Sequence, residues 1–176
     1  MFDPTAFDNM KVVIEGAIYD RDLNGEIIIT DRNDIINSAK LSREFSVRFT
    51  LPEDIDHHLS AQIELVATLD NLAAELLSSS MSEKLAGCLV KLEFFLIHHH
   101  VADNYQAIQK LFSGIWGETR KITQTIQYKP FEEPQKVKHI VTIDFARLIR
   151  EEQMDDLIEM LDFIVKTLKE LQVFTI

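Results

Sequence analysis

The run from Cys88 to Ile97, Cys-Leu-Val-Lys-Leu-Glu-Phe-Phe-Leu-Ile, constrains this chain more than any other segment. Its even positions, Cys88, Val90, Leu92, Phe94 and Leu96, are all apolar, and side chains two residues apart share one face of a strand. Such a strand must lie against a core, so the rest of the fold has to supply a sheet around it and a layer to cover it. Three consecutive histidines end the run. Strand phase continues the core face through His98 and His100 and turns His99 away from it.

The flanking segments supply the partners. Val12, Ile14 and Ile18 alternate with Lys11, Glu15 and Tyr19, which predicts a first strand; Asp22-Leu-Asn-Gly25 predicts a hairpin turn, with Glu26 to Thr30 returning. Phe45, Val47, Phe49 and Leu51 predict a third strand ended by Pro52. From Ile55 to Leu77, the spacing of Leu59, Ile63, Val66, Leu69, Ala73, Leu76 and Leu77 predicts a long helix, with His57 and His58 at its start. A serine-rich loop at 78 to 82 precedes the run at Cys88. Asp103 and Gln106 fit a capping box for a short helix whose apolar face is Tyr105, Ile108, Leu111, Phe112 and Ile115. Two strands at 122–128 and 137–145 follow, linked by a turn from Lys129 to Lys136. Met154, Leu157, Ile158, Leu161, Ile164, Val165, Leu168 and Leu171 mark a last helix with acids first and lysines last, as the helix dipole favours.

The expected fold is therefore α+β: a mostly antiparallel sheet of about six strands in the order β-β-β-α-β-α-β-β-α, with helices largely on one face. The 176 residues, 46% apolar and 27% charged, suit a single domain spanning 1–176. A net charge of −11 repels phosphate backbones and anionic lipid, so neither nucleic acid nor a membrane is an expected partner. The lone Cys88 excludes an intrachain disulfide, and the N-terminus lacks the features of a signal peptide, so the expected address is the cytoplasm.

Two constellations carry chemistry. A His-x-His pair on a strand points two imidazoles at one place, and His139, in apolar phase between Val137 and Val141, joins His98 and His100 as an inward-facing third, with Gln124 in matching phase on the neighbouring strand. The plainest reading is a set of satisfied histidines at the end of a core strand; an anion-binding or acid-base site and a metal site are the alternatives. The second constellation is Asp20-Arg-Asp22-Leu-Asn24-Gly25, followed by Asp31, which resembles the calcium loop of the EF-hand family: acids or amides at positions 1, 3 and 5, glycine at 6 and a carboxylate at 12. The resemblance implies Asp20, Asp22, Asn24 and Asp31 as ligands. It departs from the family at Asp31, where glutamate is usual, at Ile28 in the ninth position, and in its expected flanking strands; a tight turn uses the same residues.

Other chemistry is excluded. Cys88 and His98, ten residues apart on one strand, lie roughly 33 Å from each other and cannot form a dyad. No glycine-rich phosphate loop and no Gly-x-Ser-x-Gly elbow occurs, and no cofactor is implied. Arg120, Lys121, Lys129, Lys136 and Lys138, with Tyr128 and Phe131, form a local basic patch suited to an acidic partner, to a second copy, or to protection of a sheet edge. The expectation is a homodimeric protein-binding or regulatory module without catalytic activity, with strand addition to the 122–145 hairpin as one mode of recognition. In acidity, size and strand-helix mixture the chain is similar in kind to the chaperones of type III secretion systems, which bind extended segments of their partners. The competing expectation is a metal- or histidine-dependent enzyme using His98, His100 and His139.

Overall fold

The computed structural model describes residues 6–77, 84–131 and 136–176; the serine-rich loop and the middle of the 129–136 turn lie outside them. In chain order the elements are α1 (Ala6–Leu23), β1 (Ile28–Asn37), β2 (Ser42–Thr50), β3 (Leu59–Ala67), α2 (Leu69–Ala74), β4 (Cys88–His99), α3 (Ala102–Trp116), β5 (Lys121–Gln127), β6 (Lys136–Ile149) and α4 (Met154–Leu171). The strands form one six-stranded antiparallel sheet in the order β1-β2-β3-β4-β6-β5. The α+β class and the six-stranded antiparallel sheet are as expected, and from β4 onward so is the succession of strands and helices.

The core lies between one face of the sheet and the helices. Cys88, Val90, Leu92, Phe94 and Leu96 are buried, in register with Leu59, Ala61, Ile63 and Leu65 of β3 on one side and Val141, Ile143 and Ile149 of β6 on the other. Against them α4 sets Leu157, Leu161, Ile164, Leu168 and Leu171, all fully buried. The opposite face is half-open and polar at its centre, where Lys91 lies 3.0 Å from Glu93.

Four local expectations are corrected. The segment 12–18 is part of α1, not a strand: Phe7, Met10, Ile14 and Ile18 are buried at helical intervals, whereas Val12 is 64% exposed. The following Asn24-Gly25 is accordingly a helix stop and not a hairpin. Gly25 has φ +73°, its N–H bonds to the Asp22 carbonyl, and the Glu26 N–H bonds back to the Arg21 carbonyl at 2.9 Å. This is the Schellman arrangement, which needs the left-handed conformation that glycine adopts without strain.

The third correction concerns 55–77, where a strand and a short helix replace the long helix. Leu59, Ala61, Ile63, Leu65 and Ala67 are buried alternately with Ser60, Gln62, Glu64 and Val66, because β2 and β4 claim the backbone on both sides. Only α2 remains helical, started by Thr68 and Asn71 in a capping box. His57 and His58 therefore sit in the β2–β3 turn, which Asp54 organises by accepting the N–H groups of His58 (3.1 Å) and Leu59 (2.7 Å) and the Thr50 hydroxyl (3.1 Å). At α3 the Asp103–Gln106 box does not form; Val101 is the N-cap, with no side-chain capping bond.

Gly16 lies in the interior of α1, and a Cβ added there meets nothing within 4 Å. Gly16→Ala should raise the unfolding free energy by about 0.5–1 kcal/mol through reduced backbone entropy, measurable as a higher urea midpoint at unchanged slope.

Candidate functional site

The register between β4 and β6 sets Leu96 opposite His139 and His98 opposite Val137, so the two histidines are diagonal neighbours on the helix side of the sheet. Both are fully buried, His98 Nε2 lies 3.0 Å from His139 Nδ1, and the ring centroids are 5.2 Å apart. Their protons can be assigned from the surroundings. The His99 carbonyl, 2.6 Å from His98 Nδ1, can only accept, so His98 Nδ1 carries the hydrogen and Nε2 offers a lone pair. The proton between the rings then belongs to His139 Nδ1, and His139 Nε2 is left as a buried lone pair without a hydrogen-bond partner.

Tyr105 of α3 completes the cluster. Its ring packs edge-on to His139 at 5.4 Å and tilted against His98 at 6.0 Å, and its hydroxyl is hydrogen-bonded to His100 Nδ1. His100 itself lies beyond the end of β4 and is exposed, so it joins the pair only through Tyr105. Gln124 donates through Nε2 to the Tyr105 carbonyl (3.1 Å) and to Gln109 Oε1 (2.9 Å), which anchors β5 to α3; its Oε1 is buried and unpartnered. The inward phases of His98, His139 and Gln124 were readable from alternation. Tyr105 was legible only as one member of an apolar helix face.

Burial controls the chemistry of the pair. Removal from water, reinforced by the neighbouring His98, pulls His139 down to about 4. His98 is likewise lowered by burial, against the opposing effect of its bond to the His99 carbonyl. Two neutral imidazoles with no accessible surface form a sealed hydrogen-bonded joint between β4 and β6, covered by the Tyr105 ring of α3. Cys88 is also inert at neutral pH, since burial beside the Met10 sulfur, 3.6 Å away, raises its thiol to about 12.

The acidic loop is placed differently from the expected hairpin. Asp20 and Asp22 stand in the last turn of α1, Asn24 in the turn after it and Asp31 in β1; Asp22 Oδ1 accepts the Ile29 N–H at 3.1 Å. No cluster of three or more histidine, cysteine or acidic side chains that could hold a metal ion occurs among the described residues.

The basic patch is divided. Lys136 and Lys138 of β6, with Tyr128, lie at one end of β5, where Gln127 pairs with Lys138; Lys121 stands at the other end, opposite Asp144. Near that second end Trp116, Phe145 and Phe163 form a groove with Arg120, whose guanidinium stacks 5.0 Å from the Phe145 ring centre. This groove was not visible in the sequence, although it contains the only tryptophan. No described helix is long and apolar enough to cross a membrane. Comparison of the chain with protein-family models, with curated proteins and with solved structures gave no match in any of the three.

Stability should follow the histidine pair. The unfolded imidazole of His139 takes up a proton near pH 6.5 and the folded one only near 4, so the contribution of His139 to stability is lost as pH falls from about 6.5 to 4. At about 1.4 kcal/mol per pH unit this amounts to up to about 3 kcal/mol. His139→Gln, which keeps an N–H donor for His98 but cannot titrate, should give a shallower fall over that window in urea titrations repeated at several pH values.

Proposed function

We propose that this protein is a cytoplasmic, non-catalytic binding module that takes an extended acidic segment of a partner protein as an added strand on β5. The observation that carries this reading is the contrast between the two sheet edges. β1 is blunted: its register shifts between Ile29 and Asp31, and it bears Asp31, Arg32 and Asp34, the last two tied to Glu15 and Lys11 of α1. β5 has none of these devices. Ile122-Thr-Gln-Thr-Ile-Gln127 contains no charge and no proline, pairs with β6 without a register shift, and terminates the sheet. Lys121 guards only its first position, and Lys136 and Lys138 project from β6, so the lysines flank the edge without blocking it. Among the described residues Lys136 and Lys138 make the Gln127 end of this edge basic on a protein of charge −11, which favours an acidic strand there.

The histidines support the same reading. With no surface of their own, His98 and His139 cannot touch a substrate in this conformation; their hydrogen bond instead ties β4 to β6, with Tyr105 of α3 packed against both rings. A homodimer could use this edge too, two β5 strands pairing about an axis near Gln124. That arrangement brings Lys121 of each copy beside Gln127, and hence near Lys138, of the other, which like charge opposes.

A fluorescein-labelled nine-residue peptide, alternating Thr and Val behind two N-terminal Glu residues, should bind, and binding should weaken with added salt. Adjacent strand residues direct their N–H groups to opposite sides, so of Thr123→Pro and Gln124→Pro one spares the β6 ladder. The variant that keeps the native melting temperature should lose peptide binding by at least about tenfold, read by fluorescence polarisation. Unchanged binding in that variant excludes β5 as the recognition edge; a dimer in sedimentation velocity that the same proline dissociates assigns the edge to self-pairing instead.

A further inference from the structure

We infer that β5 reads its partner strand at both ends, through an acid-accepting cavity beside Gln127 and an aromatic groove beside Lys121, so that the segment it takes carries an acidic residue near its N-terminal end and an aromatic residue near its C-terminal end. This rests on strand addition at β5 and specifies its partner.

The two cavities lie at the two ends of one strand. Beside Gln127, Tyr128, Lys136, Val137 and Lys138 line the first, together with Ile97. Among the described residues no carboxylate lines it, Tyr128 is 70% exposed, and Lys136 and Lys138 bring positive charge to it. Beside Lys121, the second is walled by Trp116, Phe145, Met160 and Phe163, with Arg120 and Arg147 at its rim. Trp116 is held by its Nε1 donating to the Thr167 hydroxyl at 3.0 Å, with Phe145 and Phe163 tilted against it at 6.1 and 5.8 Å; Phe163 remains 46% exposed. A partly open wall of three rings suits a fourth ring in edge or tilted contact. Asp156 and Glu159 also line this groove, and Arg147 lies 4.0 Å from Asp156, so its charges nearly balance and the aromatic surface decides what enters.

Spacing and polarity follow from the sheet. β5 spans seven residues, about 20 Å from Lys121 to Gln127, so anchors about six or seven positions apart in the partner reach both cavities. Antiparallel addition, the better-paired geometry, places the partner's N-terminal end beside Gln127 and its C-terminal end beside Lys121. The lysines therefore meet the first part of the segment and the aromatic groove the last.

The test uses the full chain and a labelled peptide Glu-Glu-Thr-Val-Thr-Val-Thr-Phe-Thr, measured beside its Phe-to-Ala form, its Glu-to-Gln form and the reversed sequence. The parent should bind at least about tenfold more tightly than each of the others. Phe163→Ala should erase most of the difference between the Phe and Ala peptides, and Lys136→Gln with Lys138→Gln most of the difference between the Glu and Gln peptides, each as a coupling in a double-mutant cycle. If all four peptides bind equally and the fold-sparing β5 proline abolishes them all, strand addition stands and the two-ended reading is wrong. If none binds, strand addition and the two-ended reading fall together.

Discussion

The structure depends on one asymmetry, the division of β3, β4 and β6 into a face that excludes water and a face that does not. Side chains alternate along a strand, so Leu92 and Phe94 cannot be buried beneath α4 without sending Lys91, Glu93 and Phe95 the other way. All the described helices then compete for one side of the sheet. α4 takes its centre, α1 and α3 pack at its flanks, and the outer strands inherit whatever protection remains.

The His98–His139 pair is a consequence of that arrangement as much as a feature of its own. β4 and β6 run past the apolar part of the core, and their helix-side positions still have to be filled where α3 begins. Two imidazoles can occupy such a place only if each nitrogen is matched to a donor or acceptor, and the chain His139–His98–His99 carbonyl matches three of the four. The lone pair on His139 Nε2 is left open there, as is Gln124 Oε1 in the same cluster. Tyr105 shields it, and its own backbone carbonyl ties Gln124 and thereby β5 to the same place.

How much of this was legible in the sequence depended on the length over which a pattern ran. β4 and α4 are long and strongly periodic, and their faces were readable position by position. α1 was misread because the window from Val12 to Ile18 captures an accidental alternation, while the deciding residues Phe7 and Met10 lie upstream. β3 failed for a different reason: Leu59 and Ile63, four apart, fit a helix and a strand equally, and only the partners on both sides chose between them. The inward phase of His98 and His139 was local information and so was available. That their rings meet is set by a register between strands some forty residues apart, which no local pattern encodes. The same holds for the groove at Trp116, assembled from α3, β6 and α4.

The blunted β1 edge also limits what can be built. A sheet with two free edges can propagate, each added chain presenting the template for the next. Here the far edge, β1, carries a register shift and ion pairs to α1, so a strand added at the proposed β5 edge would not be followed by another on the opposite side. Under the proposed strand addition, one open edge would make the protein a chain terminator, with complexes of finite stoichiometry in place of filaments.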